Sequence, residues 1–211
     1  MQIANPKSLV VIGASQGGLR ALQTLLAGLP GRFPWPVAIV LHRAIDADSG
    51  LAELLQKHSA LPVSDALDKQ SLLPGHVFLA PPDYHLLVDR DALALSTEAP
   101  DACARPSINL LFESAAEACG AQTIAVVLTG ASDDGARGAA RVKAAGGRVI
   151  IEDPATAESS VMPAAALAAT TADHVLPVAG IAKLLAELAA AARPSHEGEG
   201  QSAIRNPQSA I

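Results

Sequence analysis

Ser15, His42 and the pair Asp133-Asp134 have the side-chain types and settings for nucleophilic chemistry. A serine hydroxyl attacks poorly near neutral pH unless an imidazole takes its proton. The imidazole in turn needs a carboxylate to fix its tautomer and to stabilise the cation that forms. Together the three types carry out acyl transfer. Each also has a plain structural reading. A serine in a turn before a helix commonly caps it, a histidine after a strand commonly rests at a boundary, and an aspartate before a helix suits the positive end of its dipole. Spacing along the chain does not choose between Asp133 and Asp134.

The elements that would position these residues are strands followed by turns. Leu9-Val10-Val11-Ile12 is an unbroken aliphatic run, as in a parallel strand covered on both faces. It leads into Gly13-Ala14-Ser15-Gln16-Gly17-Gly18 and a helix over 19–29 with Leu19, Leu22, Leu25, Leu26 and Leu29 on one face. A strand-to-helix turn presents backbone N–H groups, suited either to a phosphate or to an oxyanion. A second strand over 37–41 ends at His42, and a third over 123–128 ends in the turn carrying Asp133 and Asp134. In a parallel α/β sheet all three ends fall on one edge, where ligands bind.

The rest of the chain keeps alternating. Residues 30–36 form a Pro- and Gly-rich connection anchored by Phe33 and Trp35. Helix-cap chemistry at 46–49 precedes a helix over 50–58. A short strand begins at Pro62-Val63. Strands at 76–80, 85–88 and 93–96, joined by turns at 81–83 and 89–91, read as an antiparallel excursion. A helix over 107–119 follows, and after Gly135 another with Ala139, Val142 and Ala145 on one face, stopped by Gly146-Gly147. A strand over 148–151, a loop over 152–160, a helix opened by Pro163 at its first position, a strand over 174–176 and a helix over 181–192 complete the pattern. The expectation is a doubly wound, mainly parallel α/β domain over 8–193, helices on both faces, with a small antiparallel hairpin. Residues 195–211, in which Gln-Ser-Ala-Ile recurs, read as a flexible tail.

Bulk properties exclude several classes. Of 211 residues, 50% are hydrophobic and 17% charged, ample for a core. A net charge of −6 argues against nucleic acid, and 2% aromatics against a base-stacking platform. Cys103 and Cys119 are too few for a disulfide scaffold and lack metal-site spacing, so neither metal nor cofactor is expected. Without a signal peptide or an apolar run of about 18 residues, a cytoplasmic protein is expected. The rival class is a dinucleotide-binding domain, which the glycine-rich turn suits. That fold places an acid at the end of the second strand, where His42 and Arg43 stand. The Tyr-x-x-x-Lys of short-chain dehydrogenases is absent too: Val88 lies four residues beyond Tyr84, the sole tyrosine.

Several segments together resemble the catalytic domain of the CheB-type protein-glutamate methylesterases. They are Gly13 to Gly18, Leu41-His42, Val77 to Pro82 with His85, Arg105-Pro106-Ser107 with Leu111-Phe112, Leu128 to Gly130 through Asp134-Gly135-Ala136, and Glu158 to Pro163. The resemblance implies hydrolysis of glutamate γ-methyl esters, and deamidation of glutamines, on the methylated cytoplasmic helices of chemoreceptors. The membrane would be met only through the receptor. It assigns Ser15 as nucleophile, His42 as base and Asp134 as orienting carboxylate, leaving Asp133 to solvent or a helix cap. It places oxyanion donors at the backbone of Gln16 and of the turn at Ala131. A non-catalytic module with this fold is the alternative it leaves. Two departures stand out: Ala131-Ser132 replaces the family's Met-Gly, and Arg43 to Asp46 replaces a loop containing Met-Pro. With the first strand at Leu9, a stand-alone domain without a receiver domain is expected.

Overall fold

The computed structural model describes residues 8–42, 50–101 and 104–192. The elements run in the order β1 (Leu9–Ala14), α1 (Gly18–Ala27), β2 (Val37–Leu41), α2 (Leu51–Gln56), β3 (Val63–Asp65), β4 (Val77–Leu79), β5 (His85–Asp89) and β6 (Ala92–Ser96). Then come α3 (Ile108–Cys119), a short 3₁₀ turn (Gly120–Gln122), β7 (Thr123–Val127), α4 (Ala136–Ala144), β8 (Arg148–Glu152), α5 (Val161–Ala169), β9 (His174–Leu176) and α6 (Val178–Ala191). Seven strands form one parallel sheet in the order β3-β4-β2-β1-β7-β8-β9, and β5 and β6 form an antiparallel hairpin.

β1 is the middle strand, and all six of its residues are buried. Its side chains alternate between two cores. Val10, Ile12 and Ala14 join Leu22, Leu25 and Leu26 of α1 and Ile181 and Leu185 of α6. Leu9 and Val11 join Ile108, Leu111 and Phe112 of α3, Val142 of α4 and Leu86 and Val88 of the hairpin. Burial on both faces removes the polar half of the usual strand pattern, which explains the uninterrupted aliphatic run. From β1 the chain builds outward through β2, and later crosses back to lay β7 on the other side. The strand order therefore reverses at β1, leaving a crevice beyond its carboxyl end.

Three local expectations change. β4 does not belong to the antiparallel excursion: it pairs parallel with β2 and β3, because its Val77, Phe78 and Leu79 are buried on both faces. Pro163 is the third residue of α5, not the first; the helix begins at Val161, and a missing N–H is harmless anywhere in the first turn. α6 begins at Val178, directly after Pro177, earlier than the leucine periodicity indicates. Phe33 and Trp35 are buried and meet edge to face, centroids 5.5 Å apart, anchoring their loop. The helix-cap residues at 46–49, the segment after His42, Cys103 and the tail over 195–211 lie outside the described residues. No helix among the described residues is long and apolar enough to cross a membrane.

Candidate active site

Ser15 follows β1 and is held by its own backbone. Its N–H donates to the Thr129 carbonyl at 2.9 Å, and its carbonyl accepts from Gly18 N–H at 2.8 Å, closing a tight turn. Gly17 closes that turn with φ +77°, and a Cβ there would lie 2.7 Å from the Glu158 side chain. Gly17, not Ser15, is the residue before α1, and no side chain caps that helix, so the hydroxyl of Ser15 is not spent as a cap.

His42 extends the β1–β2 ladder by one rung, its N–H donating to Ala14 O at 2.9 Å. That rung sets it beside the Ser15 turn. Both residues line a cleft of about 440 Å³ with Gly17, Leu19, Arg20, Gln23, Leu41 and Glu158.

Asp134 is buried against His42, with Oδ2 2.8 Å from His42 Nε2. The same oxygen accepts from Ile108 N–H at 2.7 Å; Oδ1 accepts from Asn109 N–H at 2.9 Å and lies 3.1 Å from Ser107 Oγ. Asp134 therefore sits on the amino end of α3, a helix distant in sequence, where free N–H groups and the dipole favour an anion. Burial pushes its carboxyl pKa up. The His42 hydrogen bond and the Ile108 and Asn109 amides outweigh that push and hold it below the usual carboxylate range. An ionised carboxylate only accepts, so the hydrogen in this bond is on His42 Nε2, which in the neutral imidazole makes Nδ1 the lone-pair nitrogen.

The exchange is reciprocal. Asn109 Oδ1 accepts from Gly135 N–H and Gly138 N–H, both at 2.9 Å, and so caps α4. Neither aspartate caps α4: Asp133 is exposed, and Asp134 reaches away to α3. Two helix amino ends thus lock one another and fix the carboxylate between them. Behind them His85 is fully buried, with Nδ1 accepting from Ser107 N–H at 3.2 Å and Nε2 3.2 Å from Ala99 O. It bonds Ser107, the residue before α3, and is not among the residues lining the cleft. Sequence reasoning missed Asn109. Its signal was a polar residue on the otherwise apolar buried face of α3.

Gln16 and Ala131 are exposed, one beside Ser15 and one beyond Gly130. Neither backbone N–H is bonded to another described residue, whereas Gly130 N–H is taken by Ser159 O at 3.2 Å. Ser15 and Gly130 are in close contact, a Cβ on Gly130 falling 2.9 Å from Ser15 Cβ and also striking Met162. Among the described residues no group of three His, Cys, Asp or Glu is arranged to hold a metal ion.

A parallel sheet with a serine turn at its switch point and a histidine–carboxylate pair beside it is an arrangement of α/β hydrolytic enzymes. Comparison with known proteins narrows the class. The profile described as CheB methylesterase matches residues 10–185. The crystal structure of the Thermotoga maritima CheB methylesterase catalytic domain superposes with a TM-score of 0.82 at 37% identity, covering 86% of this chain and 98% of that one. A Geobacter metallireducens protein named protein-glutamate methylesterase/protein-glutamine glutaminase 4 is 44% identical over 182 residues, which are 85% of this chain and 52% of that protein. A Leptospira interrogans protein given the two activities provisionally in its name is 39% identical over 180 residues, 85% of this chain and 93% of its own. The chain thus spans about half the length of one of these relatives and nearly all of the other. The chain belongs to the CheB methylesterase family.

Proposed function

We propose that this domain is a protein-glutamate methylesterase that hydrolyses γ-methyl esters of glutamate on chemoreceptor helices, with Ser15 as nucleophile, His42 as base and Asp134 as orienting carboxylate. The observation that carries the reading is the 2.8 Å bond from His42 to a carboxylate locked on a helix amino end, beside the cleft that His42 shares with Ser15. Family membership supplies the ester; the cleft's position at the strand-order reversal supplies a place to bind it.

Ser15 Oγ attacks the ester carbonyl while His42 Nδ1 takes its proton, and Asp134 stabilises the imidazolium through Nε2–H. The tetrahedral oxyanion is received by the N–H groups of Gln16 and Ala131. His42 returns the proton to the methoxy oxygen, methanol leaves, and a γ-glutamyl ester of Ser15 remains. Water, deprotonated by the same imidazole, then releases glutamate and restores the hydroxyl. A glutamine side-chain amide meets the same steps with ammonia as leaving group, in keeping with the glutaminase activity named for the relatives. The substrate helices are those of methylated receptors on the cytoplasmic side, and the enzyme meets the membrane only through them.

Ser15→Ala tests the assignment. Methanol release from a γ-methyl-glutamyl receptor fragment is expected to fall to background while the melting temperature stays close to wild type. A fluorophosphonate is expected to label the wild type and not the variant. Undiminished methanol release from the variant overturns the reading.

A further inference from the structure

Glu152 closes β8 after three aliphatic residues, Val149, Ile150 and Ile151, and is itself 3% exposed. A carboxylate buried at the end of an inner strand is costly unless it is hydrogen-bonded. Its Oε2 accepts from Thr129 N–H at 2.7 Å. The β7–β8 register ends at Val127 paired with Ile151, so Thr129 has run past the last rung of that ladder. The Glu152 side chain replaces the carbonyl that the sheet no longer offers.

Thr129 in turn holds both sides of the serine turn. Its carbonyl accepts from Ser15 N–H at 2.9 Å, and its Oγ1 lies 2.8 Å from Gln16 O. That Oγ1 also accepts from Ser159 N–H at 2.8 Å. The next residue, Gly130, is pinned by Ser159 and Met162 and leads directly into Ala131. The same groups border open space. A second cleft of about 340 Å³ is lined among others by Gly17, Arg20, Thr129, Glu152, Thr156 and Glu158. The turn is held by hydrogen bonds, and Glu152 anchors them.

We propose that Glu152 is a positioning residue for the ester hydrolysis: through Thr129 it fixes the Ser15 hydroxyl and the Gln16 and Ala131 amides relative to one another. The proposal rests on the preceding assignment of those groups. What matters is the acceptor oxygen at Thr129 N–H rather than the charge, because an amide oxygen in the same place makes the same bond.

The experiment compares the wild type, Glu152→Ala and Glu152→Gln, with Ser15→Ala as blank, by steady-state methanol release and by the rate of fluorophosphonate labelling. Misplacing oxyanion donors costs kcat rather than binding, so Glu152→Ala is expected to lose about 10–100-fold in kcat with KM within about twofold. Its labelling rate is expected to fall in parallel, and Glu152→Gln to recover kcat to within about threefold of wild type. Glu152→Met, apolar and close in volume, takes the place of the alanine variant if that one does not fold. The proposal is overturned if the folded alanine or methionine variant keeps wild-type kcat and labelling, as a purely structural residue would allow. It is equally overturned if Glu152→Gln is as impaired as Glu152→Ala. Absence of methanol release from the wild type itself would instead refute the assignment of function.

Discussion

Replacing Asp134 by asparagine separates the two jobs its carboxylate performs. Three fixed hydrogens meet the carboxylate: Oδ1 accepts from Asn109 N–H, and Oδ2 accepts from Ile108 N–H and His42 Nε2–H, while the one hydrogen of Ser107 Oγ is shared between Asp134 Oδ1 and Asp101 Oδ2, each 3.1 Å away. An amide can place an acceptor on one side only, so its NH₂ must meet a donor on the other. With the NH₂ on the His42 side, Ile108 N–H loses its partner. His42 must then accept through Nε2 and move its proton to Nδ1, the nitrogen needed to take the proton of Ser15. A wrong tautomer of this kind costs ~10⁴ in kcat where the same exchange is made in a Ser-His-Asp site, or about 5.5 kcal/mol of barrier. The structural part is smaller: one buried N–H left unsatisfied and the charge lost cost about 1–3 kcal/mol, or roughly 2–12 °C in melting temperature for a domain of this size. Methanol release gives the first number and thermal unfolding the second, and the ¹⁵N resonances of His42 report the tautomer directly. If Asp134→Asn keeps kcat within tenfold of wild type while the His42 proton has moved to Nδ1, the tautomer that Asp134 sets does not govern catalysis.

Acid should reveal the same carboxylate. Its folded pKa lies below the ordinary aspartate range, so its contribution to stability is present above the unfolded pKa and lost as pH falls through the depressed folded pKa. The stability gap between wild type and Asp134→Asn, measured by denaturant titration, is expected to be constant near neutrality and to narrow below about pH 4; an unchanged gap down to pH 2 refutes the depression. Asn109→Ala removes the acceptor for both Gly135 and Gly138 N–H and is expected to cost about 1–3 kcal/mol. Because Asp134 precedes Gly135, kcat is expected to fall in the folded variant as well, and a variant that melts early but turns over normally would show that the two helix ends are not coupled.

The strands around the site were legible because they carry strong patterns. Leu9 to Ile12, Val37 to Leu41 and Thr123 to Val127 are aliphatic runs too short for helices and bounded by turn residues. β4 was less legible. Three buried residues between two Pro-containing turns, followed at hairpin distance by another strand, look the same whether the strand pairs with its sequence neighbour or with β2. Only the sheet order decides. Pro163 misled for a related reason: a proline marks the first turn of a helix, not a particular position in it, and Ser160 precedes α5 without a side-chain cap to mark the boundary.

For the site, the informative contrast is between the two aspartates. Asp133 and Asp134 are adjacent in sequence and chemically identical, and every local rule treats them alike, since both precede a helix. The structure separates them through α3, which carries none of the candidate catalytic residues. Its amino end collects Asp134 from a turn after β7, and its Asn109 returns the favour to α4. His42 and Asp134 lie 92 residues apart, yet the β2-β1-β7 order sets their strands on either side of β1, and the helix fixes which oxygen the imidazole meets. Local sequence could therefore mark the serine turn and the histidine, each attached directly to a strand end. The carboxylate is specified by a cap between elements far apart in the chain, and such a cap leaves no periodic trace. The same logic places Glu152 outside sequence reading: its partner is the N–H of Thr129, a group every residue but proline carries, and only the end of a ladder makes that group need a side chain.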